Sequence, residues 1–281
     1  MHPLRRVIRG EVQRLFASPG AQGEARASAS ATAARSKPGY FAPDAVARRV
    51  HGDLTTMLAG GISALLLQML HPGALAGVWD HSDFQRDMSG RLRRTAQFIS
   101  ATTYGSRKEA DALIARVQAI HDGVHGTLPD GTPYSANDPD LLTWVHIAGS
   151  WSFLHSWLTY GEPLARAECD RYYAETAVVA EKLGAREVPK SVAEVEAYLE
   201  RMRPLLRADG RTRTVARALL GAPAPSFALE PVRKLLMRAG SALLPPFAAQ
   251  MHDLPTSGKA ALVPAVKTLR RVTRWGLNSR A

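Results

Sequence analysis

The sequence predicts an all-α protein. Three observations carry that expectation. Apolar residues recur at helical spacing over most of the chain, period-2 runs of β-branched residues are missing outside one short segment near 125–135, and capping residues or prolines mark the segment boundaries. The expected architecture is a single multi-helix domain with a short hairpin or loop after the helix that carries His121. At 281 residues and 46% apolar side chains, the chain has ample material for one large core. The formal charge of +11, mostly arginine and concentrated at the two ends, favours acidic ligands or a membrane surface. Zinc-finger spacing and RNA-binding motifs are lacking, so nucleic acid is not an expected partner. Cys169 is the one cysteine, which excludes an internal disulfide and a multi-cysteine metal cage. The first residues hold no long apolar signal core, so a cytoplasmic location is expected.

Residues 1–39 read as a basic segment followed by a flexible linker. Leu4, Val7, Ile8, Val12, Leu15 and Phe16 make 4–16 amphipathic, and 17–38 are rich in Ala, Ser and Gly. The body is expected over 40–257. A helix should start near Pro43 or Asp44, and Asp53 should cap a longer one. Residues 54–79 carry no charge, a length that could span a bilayer. Gln68, His71 and Pro72 interrupt it, so the expectation is a buried central helix broken at Pro72, with partial membrane insertion as the fall-back. Ser89 is placed as the cap of the helix carrying Arg91–Thr95, which Tyr104–Gly105 ends. Ser106 and Glu109 form a capping box for the next helix, expected to run to about His125. Pro129-Asp130-Gly131 signals a turn, and Asp138-Pro139 opens a helix to about residue 160. Further helices are expected over 165–184, 191–208 and 211–220, with Ser191 and Glu194 as a second box and Pro204 as a bend or stop. Residues 222–226 and 244–257 read as loops. Residues 258–281 read as a basic amphipathic helix, with Leu262, Val266, Leu269 and Trp275 opposite Lys267, Arg270, Arg271 and Arg274.

Six of the nine histidines fall between 71 and 155, and imidazole is the usual nitrogen donor to haem iron and to zinc. His121 sits among Ala112, Ile114, Val117 and Ile120, either as a metal ligand or as a core histidine bonded to a carbonyl. His121 and His125 also make an H-x-x-x-H pair. The zinc-protease pattern needs a glutamate after the first histidine, whereas this chain has the shorter Asp122. Arg91, Arg94 and Thr95 stand at i, i+3 and i+4, so one helical face projects all three, and cations beside an apolar pocket suit a carboxylate. Arg93 falls on the solvent side. His146 is either a second ligand or a pocket wall, while Trp144, Trp151 and His155 suit the core. His81, Ser82 and Asp83 are too close in sequence for a converging triad, and no G-x-S-x-G elbow exists. They read as a turn before the arginine helix. The organising expectation is two helices facing each other across a cofactor, His121 on one and the Arg/Arg/Thr cluster on the other.

The runs RRVHGD, LLLQMLHPGALAGVWDHSDF, RLRRT and IHDGVHGTLPDGTPYSANDPDLLTWVH together resemble the mpaB-type oxygenase family, which includes rubber oxygenase, over roughly 40–250. The resemblance implies haem b and oxygen-dependent cleavage of carbon–carbon double bonds in polyprenyl chains. It implies His121 as proximal iron ligand, with Gln118 and His125 beside it near the cofactor. Gln118 and His125 stand where rubber oxygenase has arginines. A distal Arg-x-x-Lys-Thr motif matches Arg91 to Thr95, with Arg94 in place of the lysine. Guanidinium is a poor iron donor, so a lysine-type cap on the iron is not expected here. The distal glutamate has no counterpart; Asp80 and Asp83 are the nearby carboxylates. The implied substrate is an apolar, alkene-bearing chain, and the basic ends suit peripheral contact with an anionic membrane. The alternatives are a haem-binding protein without catalysis and a metal-free helical protein that binds lipid or membrane.

Overall fold

The computed structural model describes Arg6, Gly10, residues 39–224 and residues 226–277. The expected N-terminal segment and linker lie outside these residues, apart from Arg6 and Gly10, which are helical. Twelve α-helices and one hairpin make up the rest: α1 (Val46–His51), α2 (Leu54–Gln68), α3 (Pro72–His81), α4 (Met88–Tyr104), α5 (Arg107–Asp122), β1 (His125–Thr127), β2 (Pro133–Ser135), α6 (Pro139–Tyr160), α7 (Arg166–Leu183), α8 (Val192–Met202), α9 (Gly210–Gly221), α10 (Glu230–Ser241), α11 (Pro246–Met251) and α12 (Lys259–Leu277). The all-α expectation holds, and so does the short hairpin.

The core is built on α2 and α6, which run antiparallel along their length. Gln68 Nε2 donates to the Val145 carbonyl at 2.9 Å, Ser152 Oγ to Ser63 Oγ at 3.3 Å, and Ser156 Oγ to the Thr56 carbonyl at 2.7 Å. Small residues permit that approach. A Cβ on Gly60 would come within 2.9 Å of the Phe153 ring. On the other side α10 packs on α2, and Tyr160 Oη donates to the Ala239 carbonyl at 3.0 Å. α12 lies across α2, α6 and α10, so the basic C-terminal helix is seated on the body.

Local signals placed most boundaries. Asp53 caps α2 by accepting from the Thr56 N–H at 3.1 Å. The apolar 54–79 run is bent by 103° between α2 and α3. His71 caps α3 there, its Nδ1 accepting from the Gly73 N–H at 3.2 Å, while the freed Leu70 carbonyl takes the Arg207 N–H at 2.8 Å. Among the described residues no single helix is long and apolar enough to cross a membrane. Ser106 and Glu109 form the full capping box of α5, and Asp138 caps α6 with Pro139 at its first position.

Other expectations need correction. The cap of α4 is Asp87, whose Oδ1 reaches the Gly90 N–H at 2.7 Å, so the helix starts before Ser89. α5 ends at Asp122 because Gly123 closes it, and His125 already belongs to β1. β1 and β2 pair Gly126 with Tyr134, and Gly131 turns at φ +88°. Ser191 caps α8, but the Glu194 carboxylate takes the Lys190 N–H at 2.6 Å in place of completing a box. Pro204 converts the end of α8 into a 3-10 turn. The stretch 244–257 contains α11, with a proline at the first position, where its missing N–H costs nothing. The periodicity did not assign α10.

Candidate active site

Beside the α2/α6 pair lies a half-open cavity of about 2790 Å³, walled by α1, α2, α4, α5, α6, α7, α10 and α12. Small-molecule pockets commonly enclose about 300–1,000 Å³, so this one has room for a large planar group together with a chain-like molecule. Its walls include Leu58, Ile62, Phe98, Phe153, Val232 and Leu269.

The geometry of α4 makes the space. Of its 17 residues, Met88, Gly90, Thr102 and Thr103 are buried, near its two ends. The front end is fixed by the Asp87 cap and by Arg91 Nη1 donating to Ser82 Oγ at 3.1 Å. The back end is fixed by Tyr104 Oη donating to the Arg48 carbonyl at 2.7 Å and by His51 against Thr103 at 2.9 Å. Leu92, Phe98 and Ile99 between these anchors are half-buried along the cavity. α5 has the same character. Ala110 and Ile114 are its buried residues, while Ile120 is 57% exposed and borders the cavity. Only Gly105 and Ser106 join the two helices. Arg91 and His121 lie about equally far from that turn, ~20 Å at 1.5 Å per residue, so both stand at the open end of the helical hairpin.

His121 is half-buried, and burial pushes its pKa below the usual histidine range. Its Nδ1 is enclosed without a hydrogen-bond partner. His146 borders the same cavity; burial pushes it down to about 4, and its Nε2 is likewise enclosed and unpartnered. Both rings are therefore neutral at pH 7. Arg91 is half-buried, pushed down to about 10 by burial first and by Arg94 second, and still carries its proton. Arg94 is exposed and pairs with Asp87 at 3.4 Å. Thr95 is also exposed, and its Oγ1 donates to the Arg91 carbonyl at 3.1 Å. Arg93, expected to face solvent, is half-buried and borders the cavity as well.

Gln118 and His125 are not brought to the cavity walls. Gln118 Nε2 donates to the Lys182 carbonyl at 3.0 Å. His125 is exposed on β1, and its carbonyl lies 3.1 Å from His81 Nε2. His81 therefore braces the hairpin, in addition to ending α3. Asp80 is engaged there too, accepting from Tyr134 Oη at 2.6 Å; burial first, and then this carboxylate, push the phenol up to about 12. Asp83 and Asp80 both lie off the cavity wall. The carboxylates that do border it are occupied: Asp44 with Arg171, Glu168 with Arg49, and Glu109 in the α5 capping box.

The motif search did not single out His51. Its Nδ1 lies 2.9 Å from Thr103 Oγ1 and its Nε2 3.0 Å from Tyr172 Oη, tying α1 to α4 and α7 at the cavity wall. Burial, with His146 nearby, pushes it down to about 3. Its place in the RRVHGD run was the one available signal.

These residues fit a haem. The macrocycle supplies the in-plane donors itself, so the protein needs one imidazole, apolar walls and cationic groups; His121, the walls named above and Arg91 meet those needs. They do not fit zinc, because among the described residues no three His, Cys, Asp or Glu side chains converge to hold a metal ion. The model of a family described as ER-bound oxygenase mpaB/B′ and rubber oxygenase, catalytic domain, matches residues 48–275, which spans nearly all of the cavity wall. Comparison with curated proteins and with solved structures finds no match.

Proposed function

The chain belongs to the mpaB/rubber oxygenase catalytic-domain family, and from that premise we propose that it is a haem b-dependent oxygenase acting on an apolar, alkene-bearing chain. The observation that carries the reading is a half-buried His121, its ring kept neutral by burial, on the wall of a large cavity that Arg91, Arg94 and Thr95 also border. Haem, when bound, supplies the redox chemistry with oxygen.

The chain's own residues have separable tasks. His121 holds the iron from α5, because burial keeps its ring neutral and a nitrogen lone pair available. Arg91 and Arg94 place fixed positive charge at the front of α4, and Thr95 adds a hydroxyl. Leu58, Ile62, Phe153 and Leu269 exclude water and accept hydrocarbon. His146 stays neutral near pH 7 and adds an uncharged ring to the cavity wall. On α12, Trp275 is 39% exposed and Arg271 is exposed near it, which supports peripheral contact with an anionic membrane.

The test is an absorption spectrum of the purified protein after haem loading, with and without His121→Ala, followed by oxygen uptake with a polyprenyl lipid. The expected result is a Soret band that His121→Ala removes or shifts, together with lipid-dependent uptake. A wild-type protein that takes up no haem overturns the reading. A Soret band without lipid-dependent uptake leaves a haem-binding protein in place of an oxygenase.

A further inference from the structure

We propose that Arg91 is the seat of a carboxylate inside the cavity: either a propionate of the cofactor or the acidic head of the apolar chain. Half of this rests on the haem reading and half does not.

The argument is one of uncompensated charge. Arg91 Nη1 donates to Ser82 Oγ at 3.1 Å, a neutral partner, and no ion pair involves this guanidinium among the described residues. Each nearby acid is committed elsewhere. Asp80 accepts from Tyr134, Asp83 faces Arg86 at 3.9 Å, and Asp87 both caps α4 and pairs with Arg94. Arg94 adds a second positive charge on the same helical face. Arg91 also borders a small apolar pocket formed with Leu65, Leu66, Met69 and Met88, so apolar side chains flank its stem. A guanidinium held in such a wall is costly without an anion, and its planar fork matches a carboxylate with two parallel hydrogen bonds.

Two of the positions that might otherwise share this task are turned away, while Arg93 borders the cavity as a second cation on the same helix. Gln118 is neutral and spent on the Lys182 carbonyl, and His125 sits on the hairpin. Arg48 donates to the Phe41 carbonyl and stacks on Tyr104, at the far end of α4. The front of the cavity thus presents Arg91 as a half-buried cation whose fork lacks a carboxylate.

Two ligand pairs that differ in one carboxylate test the assignment: haem b against haem dimethyl ester, and oleic acid against oleyl alcohol. Wild type, Arg91→Gln, Arg91→Lys and, as a control for one lost charge, Arg86→Gln are titrated, following the Soret band and tryptophan fluorescence. The expected result is that wild type and Arg86→Gln favour the acid member of at least one pair by roughly 10- to 100-fold. Arg91→Gln removes that preference, and Arg91→Lys keeps part of it. Preference within the haem pair assigns the carboxylate to the cofactor, and preference within the oleyl pair assigns it to the substrate. Wild type that discriminates in neither pair overturns the proposal without need of a variant, and so does a preference that survives Arg91→Gln. A wild type that takes up no haem defeats the oxygenase reading alone, because the oleyl pair still decides for or against Arg91 by fluorescence.

Discussion

Arg270 Nε donates to Asp53 Oδ2 at 2.7 Å, with both residues buried, at 7% and 5% exposure. Asp53 Oδ1 is meanwhile the cap acceptor of α2, so one carboxylate holds both the start of the central helix and the C-terminal helix. The Arg270 guanidinium also lies 5.1 Å from the Trp157 ring and reaches Glu162 at 3.1 Å. Arg270→Met leaves Asp53 charged and unpaired, so it should destabilise by about 3–5 kcal/mol. Adding Asp53→Asn should recover part of that loss. Urea unfolding of the two single variants and the double checks this; additive losses would show that the pair is not coupled.

Gly240→Ala should destabilise despite the better helix propensity of alanine. A Cβ there would stand 2.6 Å from Ile62 Cβ and 2.7 Å from the Ala59 carbonyl oxygen. Neither atom is the far end of a flexible side chain, so α10 must move off α2. The propensity gain is about 1 kcal/mol, and overpacking typically costs about 1–3 kcal/mol. A lowered thermal midpoint is expected, and an unchanged or raised one would place the α2/α10 contact wrongly.

The haem-free protein should lose stability in mild acid, before its carboxylates titrate. Burial pushes His51 down to about 3 and both His146 and His155 down to about 4. The unfolded chain takes up these protons first, near pH 6.5, so this stability is complete above pH 6.5 and is lost as pH falls toward 4. Each such histidine contributes a slope of up to about 1.4 kcal/mol per pH unit. Unfolding midpoints between pH 7 and 4.5 check the slope, and His51→Gln should flatten it.

Occupancy of the cavity should be visible in the backbone of α4. With anchors at its two ends and half-buried apolar residues between, α4 has little to pack on without a ligand. Isolated helices of about this length are marginal in water. Amide exchange over 92–100 should be fast in haem-free protein and slow markedly on loading, while α2 and α6 change little. Equal protection in both states would mean that α4 does not cover the bound group.

What the sequence revealed follows from how locally each feature is encoded. Asp53, Ser106 with Glu109 and Asp138-Pro139 were readable because a cap and its N–H lie within three residues. α10 and α11 were not, because the prolines that open them also signal loops. His121, Arg91 and His146 were legible as chemistry, and the structure brings them to one cavity. Gln118 and His125 were placed near the cofactor by the family resemblance, yet a carbonyl on α7 and the hairpin pairing take them elsewhere. His51 was hidden because its partners, Thr103 and Tyr172, lie far along the chain.

The bend at His71–Pro72 has a further consequence. It breaks the chain's longest uncharged stretch, 54–79, between helices of 15 and 10 residues, the second of which already carries Asp80, and each is short of the roughly 20 residues that hydrocarbon demands of a spanning helix. A bilayer and the protein's own interior would otherwise compete for the same leucines and alanines. With the rod bent by 103°, most of those leucines and alanines lie buried in the protein interior.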